Sequence, residues 1–193
     1  MRAVLFLFAL LWLPPSARAV EYAITPGAPN RVVFVSKAPT ETFEGTTDRL
    51  SGSIQLDPDA PGDSITVRIE VDLASLDTGI GKRNQHMREN HLETDRFPVA
   101  TFTGAAILSR SAASLAEGKT ITFELEGAFT LHGVTRRLRV PVDVTRRDAN
   151  TLEFETSFPV LLADYEISRP RFLFMKLGEV QNVTVHGVAV ARP

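Results

Sequence analysis

The feature that most constrains this chain is a strict two-residue alternation of apolar and polar side chains, sustained over unusually long segments. Between Thr120 and Leu131, the residues Ile121, Phe123, Leu125, Gly127, Phe129 and Leu131 fall on one face. Thr122, Glu124, Glu126, Ala128 and Thr130 fall on the other. Such a segment is a strand with one dry and one wet face. After His132-Gly133, a pair suited to a tight turn, the alternation resumes from Val134 to Thr145, with Val134, Leu138, Val140, Val142 and Val144 on the apolar side. The two runs predict a long hairpin. Arg136 breaks the pattern, because its phase directs it toward the apolar face. A buried guanidinium is costly unless paired, so this phase asks for an acid partner, a place at a barrel mouth, or an anionic head group.

The same alternation marks Ile65 to Leu73 and Thr151 to Phe158, with weaker strands at Arg31 to Lys37, Thr42 to Thr47, Leu50 to Asp57, Val99 to Leu108 and Gln181 to Ala191. Long antiparallel strands with one apolar face need a partner surface, and closure into a barrel supplies it while removing exposed edges. The pattern therefore predicts an all-β fold, an extended antiparallel eight-stranded barrel, although alternation alone does not separate it from a two-sheet sandwich. One short helix is expected over Ile80 to Leu92, ahead of Pro98. Its apolar positions, Ile80, Met87 and Leu92, form a narrow stripe that suits a cover over one barrel end.

The first nineteen residues read as a cleavable leader: Met1-Arg2 is a positive start, Ala3 to Leu13 is apolar, and Ala17-Arg18-Ala19 is a small-x-small site. The apolar run is too short for a membrane-spanning helix of roughly 20 residues. Cleavage after Ala19 leaves one domain, 20–193, expected in the periplasm or secreted, with no integral anchor and with transient membrane contact left open. The formal charge of −2 becomes −4 once Arg2 and Arg18 go, which disfavours nucleic acid as a partner. The chain has no cysteine. That removes disulfides, thiolate metal sites, a cysteine nucleophile and a lipid-modified cysteine anchor.

Chemistry-bearing motifs are sparse. His86 and His91 are five apart, so on a continuous helix they would not share a face, and no metal or other cofactor is expected. There is no G-x-S-x-G elbow, and the pairs Glu124/Glu126 and Glu153/Glu155 have the spacing that any wet strand face produces. What remains is the interior. An eight-stranded barrel is just wide enough to be filled by its own side chains or to hold one small ligand. The residues directed inward include Phe102, Phe123, Leu125, Phe129, Leu138, Val140, Phe154 and Phe158, which would either line an apolar channel or simply pack.

Three sets of motifs resemble the YceI-like family. The first is Leu76-Asp77-Thr78-Gly79, Lys82-Arg83-Asn84-Gln85-His86-Met87-Arg88, Leu92, Arg96-Phe97-Pro98 and Ala100-Thr101-Phe102. The second is Gly127 through Arg136, and the third, more loosely, is Tyr165-Glu166-Ile167 to Lys176. The resemblance implies an exported bacterial protein with a lipocalin-like barrel that carries or stores a polyisoprenoid or similar fatty amphiphile. It implies binding and not turnover. Carried over motif by motif, Arg83, His86, His132 and Arg136 are polar ligand-binding candidates, and Phe102 and Phe129 are apolar ones. The family pattern often has an acid after the arginine matching Arg83, where this chain has Asn84. Two other readings stand beside it: an enzyme on an apolar substrate using His86 or His132 as base, and a filled barrel serving in interaction or stress.

Overall fold

The computed structural model of the protein describes residues 19–37, 41–62, 65–169, 171–172 and 175–192. The expected leader therefore lies, apart from Ala19, outside the described residues. Among the described residues there are twelve strands: β1 (Val20–Ile24), β2 (Arg31–Lys37), β3 (Thr42–Thr47), β4 (Leu50–Leu56), β5 (Ile65–Asp72), β6 (Val99–Arg110), β7 (Thr120–Leu131), β8 (Val134–Asp148), β9 (Thr151–Leu161), β10 (Arg171–Phe172), β11 (Met175–Lys176) and β12 (Val180–Ala191). The one α-helix among the described residues, α1 (Gly81–Asn90), follows β5.

The strands close into an antiparallel barrel. The order β1-β4-β5-β6-β7-β8-β9-β12 returns to β1, while β2 pairs with β12 and β3 with β2. The registers explain how more strands fill eight positions. On β12, Ala191 faces Tyr22 of β1 and Val185 faces Val32 of β2, so β1 and β2 share one position with a break at 25–30. β3 and β4 likewise share the next position. Asn30 bridges the break: it is buried, its amide nitrogen donates to the Thr25 carbonyl (2.7 Å), and its oxygen accepts from the Val188 amide (2.9 Å). One side chain thus satisfies ladder groups that the break leaves unpaired.

All nine expected strands are present, several running one to three residues further. β1 was not expected, because five residues are too few for alternation to register. The His132-Gly133 turn has positive φ at both residues (52° and 76°), the backbone of a type I′ hairpin, and it sets Leu131 opposite Val134. Buried residues form two clusters: a main one around Tyr22, Leu50, Ile121, Phe123, Leu152 and Phe154, and a second around Leu73, Phe129, Leu131, Leu162 and Tyr165. Met87 and Leu92 pack on the second cluster, which places α1 over that end. Ile80, expected in the helix's apolar stripe, is instead half exposed, because the helix begins only at Gly81.

Candidate ligand-binding site

The barrel is hollow. An outer chamber of about 610 Å³ lies beneath α1, and an inner chamber of about 100 Å³ lies deeper along the axis. Val71, Ala100, Phe129, Phe158 and Val185 border both and form a waist between them. Phe129 and Phe158 meet there edge to face, with ring centroids 5.7 Å apart, and Tyr165 buttresses Phe129 from the other side at 5.5 Å. Beyond the inner chamber, fully buried Leu115 joins the main core, its amide donating to the Pro58 carbonyl at 2.8 Å.

The rings that line this space lie over glycines. A Cβ at Gly187 would sit 2.3 Å from Phe154, one at Gly127 2.5 Å from Phe102, and one at Gly45 2.1 Å from Phe34. Real side chains never approach so closely, so any residue larger than glycine would displace these rings from the wall. The sequence keeps the channel open by pairing bulky rings with absent side chains on neighbouring strands.

Phe123, Leu125, Phe102, Leu138, Val140 and Phe154 border the inner chamber, and Phe129 and Phe158 border both. Arg83 and His86 border the outer chamber at its polar rim, beside Glu41 and Lys82. His132 and Arg136 border neither. His132 is buried behind the wall: Nδ1 lies 3.0 Å from the Tyr165 carbonyl oxygen, Nε2 3.2 Å from Glu93, and the ring packs on Phe97. It ties the hairpin turn to the segment after α1. Arg136 is exposed, although it stands opposite Phe129 on the inner face of the ladder. The turn Leu162–Tyr165 packs against β8 there, and the long side chain reaches past it, its Nε donating to the Asp164 carbonyl at 3.0 Å. A mouth position and a backbone acceptor resolve the phase conflict without any ligand.

Arg83 is engaged on every side. Nε donates to Thr78 Oγ1 (2.9 Å), Nη2 to the Thr78 carbonyl (2.8 Å) and Nη1 to Glu41 (3.0 Å), with the guanidinium 4.0 Å over Phe43. Beneath it, Asn84 is the only buried residue of α1. Its oxygen accepts from the Thr78 amide (2.8 Å) and hydroxyl (2.6 Å), and its nitrogen donates to Asp77 (2.6 Å). The Gly79 amide and then Asn84 hold the Asp77 carboxyl below the usual carboxylate range. Asparagine therefore supplies what an acid would here, two acceptor bonds, and adds a donor toward a neighbouring carboxylate.

His86 and His91 do meet, with ring centroids 5.0 Å apart. The helix ends at Asn90, so the 100° step no longer governs His91. His91 Nδ1 donates to the Ser168 carbonyl at 2.9 Å, while Nε2 is buried without a partner. Burial, and then the neighbouring His86, hold its pKa below the ordinary imidazole value. Phe34, Phe43, Met87, His91 and Leu92 also border the outer chamber and were not among the expected ligand residues. The Val32-Phe34-Ser36 phase, with Gly45 across the ladder from Phe34, was a usable signal for the first.

With this geometry in place, comparison with known proteins is decisive on family. The YceI-like domain pattern matches residues 22–189. The chain belongs to the YceI-like family. A UPF0312 protein of Vibrio vulnificus (strain YJ016) is 28% identical over 137 residues, covering 69% of this chain and 68% of the relative. A UPF0312 protein of Shewanella sp. (strain W3-18-1) is 29% identical over 133 residues, or 67% and 65% of the two chains. Among solved structures, a polyisoprenoid binding domain from Saccharophagus degradans superposes with a TM-score of 0.72 at 23% identity, covering 90% of this chain and 99% of that one. Burkholderia cenocepacia BcnA superposes with a TM-score of 0.69, also at 23% identity, over 83% and 96%. Both neighbours share the fold of this chain.

Proposed function

We propose that this chain is an exported, non-enzymatic carrier that holds one isoprenoid or similar long-chain amphiphile inside its barrel, in the periplasm or outside the cell. The two-chambered apolar channel carries the reading. A volume of about 610 Å³ lies within the range of small-molecule sites, and its wall is mostly hydrocarbon, with Lys82, Arg83, His86 and His91 on or beside α1, Glu41 near them, and buried Ser36 and Gln181 on the strands. Apolar burial at ~25 cal/mol per Å² supplies the driving force, offset by the ordering of a flexible chain. The solved polyisoprenoid binding domain of the same fold supports this ligand class. A base at His132 would need a free ring nitrogen facing substrate, and both of its nitrogens are engaged behind the wall. The test is uptake by delipidated protein offered a prenol in detergent-free buffer, read by native mass spectrometry. One prenol per chain is expected, and no uptake at any concentration below prenol aggregation refutes the reading.

A further inference from the structure

The inner chamber has a size and position that a simple greasy tunnel does not explain. It is lined by residues of the main core, it shares Val71, Ala100, Phe129, Phe158 and Val185 with the outer chamber, and its wall carries no charged side chain. An apolar cavity of ~150 Å³ stays dry and admits benzene, which is about 25 Å³ per carbon. By that measure the inner chamber, at about 100 Å³, takes about four or five carbons, one isoprene unit. The outer chamber takes about twenty-four, close to five units. We propose that the inner chamber is a tail pocket for the terminal isoprene unit of the ligand, and that the Phe129/Phe158 waist makes the protein select its cargo by chain length. This inference rests on the carrier reading above.

The waist is suited to that task. A chain that ends in the outer chamber leaves the inner one empty and forfeits its contacts, because a dry void offers no partner atoms. A chain one unit longer must pass alongside the Phe129/Phe158 pair, through the waist that Val71, Ala100 and Val185 complete, and it then gains a wall formed by residues such as Phe123, Leu125, Val140 and Phe154. Longer chains gain no further pocket. Affinity should therefore rise in a step at the unit that crosses the waist and then level off.

The experiment measures affinities of delipidated protein for farnesol, geranylgeraniol, pentaprenol, hexaprenol and heptaprenol. Hexaprenol should bind at least about tenfold more tightly than pentaprenol, with heptaprenol similar to hexaprenol. Leu125→Phe, which fills the inner chamber alone, should bring hexaprenol down to the pentaprenol value while leaving farnesol and geranylgeraniol unchanged. Should overpacking unfold that variant, Val67→Ile combined with Val142→Ile fills the same chamber more gently. The ratio between chain lengths is insensitive to general loss of stability. A smooth rise across the series with no step, or a filled chamber that weakens every prenol equally, overturns the tail pocket while leaving the carrier reading intact. Failure to bind any prenol overturns both.

Discussion

Asn84→Ala tests how the cover of the channel is held. The asparagine is buried and its oxygen accepts two bonds from Thr78, itself buried. Alanine removes both and leaves the Thr78 amide without a partner. An unsatisfied buried donor costs about 1–3 kcal/mol, and the lost hydroxyl bond adds about 1 kcal/mol, for a total of about 2–4 kcal/mol. Nothing is added for the contact to Asp77, whose carboxyl is exposed. For a domain of this size each kcal/mol shifts Tm by about 2–4 °C, so thermal unfolding followed by circular dichroism should show a drop of about 4–16 °C. Asn84→Asp is the informative companion. It keeps both acceptor bonds but sets a second carboxylate against Asp77, and one of the two must then hold a proton more tightly than usual. A raised carboxyl pKa stabilises the fold at low pH and is lost as pH rises through it, so this variant should approach the wild type in acid and fall away toward neutrality. Alanine should show no such dependence. An Asn84→Ala protein melting within about 2 °C of the wild type would refute the argument that this residue anchors α1.

Other consequences follow from the same packing. Gly187→Ala places a Cβ 2.3 Å from Phe154 and 2.9 Å from Leu50, so the ring must swing toward the inner chamber at about 1–3 kcal/mol; adding Phe154→Leu should recover most of the loss in a double-mutant cycle. Asn30→Ala leaves the Val188 amide and the Thr25 carbonyl unpaired at the β1/β2 break and should cost about 1–3 kcal/mol by denaturant unfolding, with amide exchange at Val188 accelerated most. Burial, and then the neighbouring His86, hold the His91 pKa below the ordinary imidazole value of 6.5. Its contribution is therefore complete above that ordinary value and declines as pH falls through the lowered one, because the unfolded chain takes up the proton first. His91→Gln, which cannot titrate, should lose less Tm than the wild type between about pH 7.5 and about pH 5, and an equal loss in both would contradict the assignment.

Much of this architecture is legible in the sequence because a barrel wall repeats a simple rule. The alternation through Ile121, Phe123, Leu125 and Phe129 identifies the inner face without any knowledge of neighbours, and the positive φ of His132-Gly133 follows from the turn such strands require. What alternation leaves out are places where a side chain replaces backbone or the period changes. Asn30 stands in for a missing ladder bond across a break that no local pattern announces. His91 meets His86 because the helix stops one residue earlier, and the assumption of a continuous 100° step hides the contact. Arg136 has an inward phase but a side chain long enough to leave the barrel, so phase fixes its Cβ and not its charge. His132 sits in the right motif yet serves the wall from behind. The hollow itself depends on cross-strand pairs of phenylalanine with glycine, a relation between distant positions that composition and local pattern do not show.

The most direct test is to produce the full-length chain in a Gram-negative bacterium, recover it without detergent, and extract it with organic solvent for mass spectrometry. The account predicts close to one isoprenoid or fatty amphiphile per chain, enriched in chains of about six isoprene units over shorter ones. A protein recovered folded but free of lipid, and still empty after exposure to membrane extract, would contradict it.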